Sequence, residues 1–577
     1  MPKSISEAAL EYYKLLSAEQ KNFFQSHYQR LGADWETEYP LSQDFTSCSR
    51  QIAPPISDHY RWTQLELAIQ RLHQALQNKE KIVIVGDFDV DGACASAILV
   101  RGLRAITTVE TIIPQRHTEG YGLTVALTER IPQDASLIIT VDNGITSSAA
   151  VEKLKERHQE VIITDHHIPG DSIPLATAVV NPNLPDCEFP HPHLCGAAVA
   201  WYLLWGLLGR FPEWKDQIPL RSLLPLAALA TVADVVPLDK NNRFIVRAGI
   251  ALLKNGIGPI GIFALLERHN KNLDYLAAED FGFRVGPMIN AVGRLEDMSI
   301  GLKLLTTDSE SEAEQISYYL LETNNKRKMV EKETVSQVQE LVATDWKFAD
   351  TETPMDAVVF YQPHWNEGVV GLVAGRIKEQ LNKPTFVFTA TQQGDIKGSG
   401  RSIPGVHLRD SLVWIDAHFP GCIKRFGGHA MAAGLTLANE EQLAIFTSAL
   451  SSCPLITAPK QTETIAPYDF DAEIMDFNFA KILGYSGPWG SGFVEPLFQG
   501  EFAVLRFSLV GGGHWKMKLR FLEDNKDYDA IYFIPPFNPP TFTPGAGDQV
   551  LASFRCNINF FRDNETLQLL VNNIKML

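Results

Sequence analysis

The run KIVIVGDFDVDG at residues 81–92 constrains this chain more than any other, because an apolar strand ends there in a glycine-flanked turn that gathers Asp87, Asp89 and Asp91. Three carboxylates so close together repel one another unless cations lie between them. The arrangement recurs: LIITVDNG closes a strand on Asp142, and VIITDHH closes another on Asp165, His166 and His167. Strand ends that all carry acids or imidazoles describe a built metal site. Mixed carboxylate and imidazole donors suit manganese or magnesium better than a thiolate-rich zinc site would, and none of the seven cysteines has CxxC spacing. The spacing disfavours an EF-hand calcium loop, whose closing bidentate Glu would fall on Ile98, and a strand leads in where that motif has a helix.

Apolar runs at 82–85, 111–113, 137–141, 161–164 and 178–180 alternate with helix-like segments such as 93–104 and 147–157. Such alternation predicts a parallel α/β sheet. Ligands of such sheets gather beyond the carboxyl ends of the strands, where Asp87, Asp142 and His166 fall. Further on, LLPLAALATVADVVPL carries one acid, Asp234. A carboxylate in an apolar run is costly to bury unless it is paired or metal-bound, so Asp234 joins the candidate set.

A chain of 577 residues exceeds what one hydrophobic core organises. Residues 1–54 read as a polar, helix-prone lead-in and 55–301 as the first α/β domain. The glycine-free, charged stretch 302–346 reads as a long bridging helix. A second α/β domain at 347–455 holds GDIKGSGRSIPGVHLRD and FGGHAMAAG, loops that set Ser399, Arg401 and His429 among small residues and so let a phosphate or sugar approach closely. The short alternating runs of 456–577 predict a small barrel of the OB kind. There His514, Trp515, Lys516, Lys518, Arg520 and Phe521 interleave in a way that suits stacking and backbone contacts with single-stranded nucleic acid, the competing reading being an ordinary strand with its polar face in water. The net charge of −17 implies that a polyanion enters by a local basic route rather than over the whole surface. No apolar run reaches membrane-spanning length, the start lacks a signal h-region, and the scattered cysteines fit a reducing compartment. A cytoplasmic protein without a membrane partner is expected.

GDFDVDG, VDNG, TDHH and ATVADVVPL, in this order and spacing, resemble the four motifs of the DHH phosphoesterase superfamily. GPMINAVGR, GSGRSIPG, FGGHAMAAG and GPWGSGFVEPLF resemble the additional motifs of its RecJ group, bacterial exonucleases that degrade single-stranded DNA from the 5′ end. The resemblance covers nearly the whole chain from Trp62 onward. It implies a multidomain α/β protein: a parallel-sheet DHH domain, a bridging helix, a DHH-associated α/β domain and a C-terminal OB-like β-barrel. The superfamily's metal ligands fall on Asp87, Asp89, Asp142, His166 and Asp234, with Asp142 as the bridging ligand. Many relatives outside the RecJ group have a His before the first Asp, where this chain has Val85 and Gly86.

The activity the resemblance implies is hydrolysis of phosphodiester bonds by two Mn2+ or Mg2+ ions, serving DNA repair and recombination. His167 is the candidate for contacting the scissile phosphate or assisting the leaving oxygen. Arg116, Arg294, Ser399, Arg401 and His429 are candidate substrate donors, and Tyr121 is placed to stack a base. Implied partners are single-stranded DNA, a RecQ-type helicase and a single-strand-binding protein, with the chain itself a monomer. The alternative is a DHH-type phosphodiesterase of short RNA or cyclic dinucleotides, against which the terminal barrel argues.

Overall fold

The structure, a computed structural model, describes residues 12–38, 62–116, 119–170, 172–344, 357–456, 466–534, 540–561 and 564–577. The chain forms two compact units, one from Met1–Glu322, Pro467–Phe533 and Pro544–Leu577, the other from Thr323–Ala466 and Ile534–Thr543.

At the heart of the first unit lies a five-stranded sheet in the order β2-β1-β3-β4-β5, built from β1 (Ile82–Val85), β2 (Val109–Ile112), β3 (Leu137–Val141), β4 (Glu160–Thr164) and β5 (Ala178–Val180). Every pairing is parallel. β1, β3 and β5 are buried along their whole length, as expected of parallel strands covered on both faces. One core layer sets Ile82, Ile84, Leu137 and Ile139 against helices Val90–Leu103 and Gly196–Arg210; the other sets Val83, Val85 and Ile138 against Ser148–Glu156.

Of the lead-in predicted at 1–54, the described part forms helices Ala18–Arg30 and Trp35–Glu38. The first is started by a capping box between Ser17 and Gln20. Its buried Phe24 stacks on Trp35 and Phe479, while Gln20 donates to the Ile474 carbonyl at 2.7 Å. Glu38 then meets Arg243 at 2.6 Å, both side chains less than a tenth exposed. The lead-in thus packs on the 466–497 segment and is joined by an ion pair to helix Lys240–Lys254.

The stretch predicted as a single helix from Leu302 is two helices, Ser299–Thr306 and Glu310–Thr344; residues 345 and 346 lie outside the described residues. The break falls at Thr307, which turns to extended backbone, and Ser309 restarts the chain by accepting from the Glu312 amide.

The terminal barrel is formed by β12 (Phe498–Val510), β13 (His514–Phe521), β14 (Asp527–Tyr532), β15 (Gln549–Phe561) and β16 (Asn564–Met576). They pair in the order β12-β13-β14-β16-β15, and β15 returns to β12, closing five strands on themselves. Along β13, Trp515, Met517, Leu519 and Phe521 are buried while Lys516, Lys518 and Arg520 point outward, Lys518 to Asp529 and Arg520 to Asp527. The strand's period of two decides the matter: Trp515 and Phe521 fill the barrel instead of stacking on nucleic acid, which corrects that expectation for this strand.

In the second unit β6 (Val358–Tyr361), β7 (Thr385–Ala390), β8 (Ile396–Arg401), β9 (Arg425–Gly428) and β10 (Ala432–Leu437) form a mixed sheet in the order β6-β7-β8-β10-β9. β8 reads IKGSGR. A Cβ on Gly398 or Gly400 would lie 2.2 or 2.6 Å from the rings of Phe388 and Phe386, so the glycines admit the core aromatics on one face while Ser399 and Arg401 occupy the other.

Candidate metal centre

Three strand ends and one helix end deliver the acidic cluster. After β1 the chain turns so that Asp89 caps helix Val90–Leu103, its Oδ1 accepting the Gly92 amide at 3.1 Å. Gly92 packs so tightly on Asp87 that a Cβ there would lie 2.6 Å from the Asp87 backbone nitrogen. Asp142, directly after β3, takes φ +60°, the left-handed region that is costly for a non-glycine residue. Two neighbours secure it: the Asp142 amide donates to the Thr164 carbonyl at 3.0 Å, and the Tyr121 hydroxyl donates to the Asp142 carbonyl at 2.9 Å. After β4, Asp165 turns inward, accepting the amides of His166, His167 and Ile145 and pairing with His167 Nδ1 at 2.7 Å. Asp165 therefore shapes the turn rather than offering a free ligand atom. Asp234 terminates helix Leu220–Ala233.

These side chains converge. His166 Nε2 lies 3.1 Å from Asp142 Oδ1, 3.6 Å from Asp91 Oδ2 and 3.8 Å from Asp234 Oδ2. Donor atoms fall into three overlapping groups, Asp87 with Asp89 and Asp142, Asp91 with His166 and Asp234, and Asp142 with His166 and His167, each group lying within 4.8 Å. Burial, followed by repulsion from neighbouring carboxylates, pushes Asp87, Asp142 and Asp234 well above the ordinary carboxylate range, and Asp91 up to about 7. Asp87 Oδ1 is buried without a hydrogen-bond partner, and the buried Asp142 Oδ1 faces His166 Nε2. Buried carboxylate oxygens left unpaired are expensive, and oxygen donors with one imidazole match divalent manganese or magnesium. The donor set fits the metals expected for it.

His167 is governed by a different balance. Burial disfavours its charged form, yet the bond to Asp165 outweighs this and lifts His167 to about 9, while Asp165, itself resisted by burial, is held down to about 2 by His167. The Tyr121 hydroxyl also stands 3.2 Å from His167 Nε2. Tyr121 is thus tied to Asp142 and His167 through its hydroxyl, while its ring meets Phe88 edge-on.

Arg116 lies over the Phe88 ring at 3.9 Å and donates from Nε to the Gly293 carbonyl at 2.9 Å, next to Arg294. Asn290, in the same helix Gly286–Leu295, accepts the Val90 amide at 3.1 Å. Arg116, Arg294 and Tyr121 are therefore gathered around the first acidic turn. Ser399, Arg401 and His429 belong to the second unit, where Arg401 Nη1 donates to Ser399 Oγ at 2.9 Å. Arg401 pairs in register with Ala432, close after His429 in the β9–β10 turn.

Three positions carried no sequence signal for the work they do. Both Asp91 oxygens accept the first amides of helix Gly196–Arg210, from Gly196 at 2.6 Å and Ala197 at 2.7 Å, an anionic anchor at a helix N-terminus. A Cβ on Gly196 would lie 2.6 Å from Asp142 Cβ. Asn143 donates to the carbonyls of Val85 and Val141 and accepts the Leu123 amide, stitching the ends of β1 and β3 together. Asp91 was visible only as one more acid of the turn, and CGAAVAW reads as an ordinary helix start.

Known proteins match most of the chain. Residues 81–231 match the DHH family, N-terminal domain, residues 355–453 the DHHA1 domain, and residues 468–573 the RecJ OB domain. The single-stranded-DNA-specific exonuclease RecJ of Escherichia coli is 40% identical over 533 residues, which are 89% of this chain and 91% of that protein. The crystal structure of RecJ from Thermus thermophilus in complex with Mn2+ aligns with TM-score 0.76 at 27% identity, covering 98% of this chain and 76% of that one. Its Mg2+ complex aligns with TM-score 0.71 at 26% identity, over 98% and 75% of the two chains. With all four acidic motifs converging on one donor cluster and three domain matches in RecJ order, the chain belongs to the RecJ family of the DHH phosphoesterases.

Proposed function

We propose that this protein is a metal-dependent exonuclease that hydrolyses single-stranded DNA from the 5′ end, in repair and recombination. The observation that carries the reading is the cluster of Asp87, Asp89, Asp142, His166 and Asp234, with a buried, unpartnered oxygen on Asp87, in a chain 40% identical to a named single-strand-specific exonuclease. Divalent ions bound there supply polarisation of a phosphate and a more acidic water. The five side chains would hold them, and the burial and mutual repulsion that raise Asp87, Asp142 and Asp234 supply the drive to bind cations. His167, fixed through Nδ1 by Asp165, offers Nε2 to the leaving oxygen. Arg116 and Arg294 hold a phosphate at the same turn, while Ser399, Arg401 and His429 serve a terminal phosphate or sugar.

The closed terminal barrel supports single-strand binding as the substrate preference over short RNA or cyclic dinucleotides. No described helix is long and apolar enough to cross a membrane, and a DNA substrate supports a cytoplasmic location. A RecQ-type helicase to supply the strand and a single-strand-binding protein to present it complete the proposed setting. The test is a panel of end-labelled single strands, blunt duplex, RNA and dinucleotides with Mn2+, Mg2+ or EDTA. Mononucleotides released from the 5′ end of single strands, only with metal, are expected. Preferential hydrolysis of dinucleotides or RNA, or cleavage in EDTA, would overturn the reading.

A further inference from the structure

Helix Gly286–Leu295 touches the first acidic turn through Asn290 and Gly293. Its other end lies against Ala233, the residue before the last acid of the cluster. There the chain enters through a five-residue π-turn, Phe281–Val285, a rare feature that concentrates at functional sites. Phe281 and Val285 are fully buried and anchor the turn. A Cβ on Gly282 would lie 3.4 Å from Val232 Cγ1, and one on Gly286 3.3 Å from Ala233 Cβ. The turn therefore abuts the two residues that precede Asp234.

Phe283, between the two anchors, is 83% exposed, and no ring or cation packs on it among the described residues. Val235, directly after Asp234, is 66% exposed and takes φ +59°, a conformation that a β-branched residue adopts only under constraint. The segment that follows is tied down: the Leu238 amide donates to the Ser491 carbonyl at 2.7 Å, and Pro237 lies within ordinary contact distance of Gly492. Arg284, next to Phe283, is held by buried Asp280 and remains partly exposed. An exposed aromatic on a turn that packs against the segment leading to Asp234, an exposed apolar residue directly after that acid, and a partly exposed cation next in the chain form a pattern suited to bases and backbone of a single strand.

We infer that Phe283 is the ledge on which an unpaired base of the substrate strand stacks, one step from the phosphate held at the metal centre. The inference rests on the single-strand reading above and deepens it. Its occupant is a base, because the turn that carries it packs on Val232 and Ala233, which lead directly into Asp234 of a site that must receive a phosphodiester, and Arg284, paired with Asp280 but partly exposed, follows it in the chain. A protein partner covering the same patch is the competing outcome.

The test uses the full chain in EDTA, so that binding is read without turnover. Phe283→Trp should show fluorescence quenching, beyond wild-type protein, on titration with oligothymidylate, saturating with the anisotropy of a labelled strand. Phe283→Ala and Phe283→Leu should each weaken that binding about 5- to 100-fold, the range one stacked base supplies. Because the side chain is exposed, both variants should melt with wild type. Unchanged affinity in Phe283→Ala with no quenching in Phe283→Trp, while wild type binds and cuts single strands, would overturn the ledge and leave the function intact. Affinity lost in Phe283→Ala but kept in Phe283→Leu would replace stacking by a nonspecific apolar contact and also overturn it. Wild type that neither binds nor cuts single strands would refute the function itself.

Discussion

Gly196→Ala isolates the packing on which the metal centre depends. The added methyl would stand 2.6 Å from Asp142 Cβ and 2.8 Å from Asp142 Cα, about 0.8 Å inside the closest ordinary carbon contact of ~3.4 Å. Asp142 cannot easily yield, because its φ of +60° is locked from both sides. Gly196 cannot yield without lengthening its bond to Asp91. Overpacking of this kind costs about 1–3 kcal/mol, and misplacing a reacting group by about 1 Å costs about 10²-fold in rate. The expected result is a fall of about 100-fold in kcat/KM on labelled single strands, together with a Mn2+ affinity reduced about tenfold or more and a modest loss in urea stability. Gly209→Ala, in the same helix but facing open space, is the control and should be neutral or stabilising by up to about 1 kcal/mol. Wild-type turnover and metal affinity in Gly196→Ala would refute the claim that this contact sets Asp142.

His27 is buried between the Tyr468 hydroxyl and the Val494 carbonyl; burial, reinforced by Arg30 against the pull of that carbonyl, lowers it from 6.5 to about 4. The unfolded chain therefore takes up a proton between those values and the folded chain does not, so this group's stabilisation is complete above pH 6.5 and is lost as pH falls toward 4, by about 3 kcal/mol in all. Urea midpoints at pH 7 and 4.5 should differ less in His27→Gln than in wild type; equal differences would contradict the reading. Glu38→Gln should lower stability by about 3–5 kcal/mol, because it leaves buried Arg243 without its carboxylate; a melting temperature within a degree of wild type would show that the lead-in is dispensable.

Much of the catalytic sheet was legible because parallel strands buried on both faces read as unbroken apolar runs: 82–85, 137–141 and 178–180 coincide with β1, β3 and β5. The run at 111–113 came out two residues early, as Val109–Ile112, since this edge strand is half-exposed and its Glu110 and Thr111 hide the pattern. The acids were legible because each interrupts an apolar segment. The reading stopped where function depends on long-range contact. Nothing local marks Gly196 as the residue under Asp142, or Phe283 as an exposed ring on a turn that packs against the segment before Asp234. On β13 the alternation of basic and aromatic residues suited both a stacking surface and a barrel wall, and only closure of the five strands decides which face is inside. The lead-in showed polarity and helical propensity, but its partners Phe479, Ser486 and Arg243 lie hundreds of residues away.

The central claim is that the strand-end carboxylates and His166 hold divalent ions and that hydrolysis depends on them. Titration calorimetry of wild type and Asp142→Asn with Mn2+, with turnover of single-stranded DNA measured on the same samples, tests it most directly. Asn tolerates the left-handed backbone at this position and removes one of the mutually repelling charges. Asp142→Asn should therefore melt in EDTA at or above the wild-type temperature, bind Mn2+ at least about tenfold more weakly, and lose hydrolysis. A folded Asp142→Asn protein that binds Mn2+ like wild type and still degrades the strand would contradict the account.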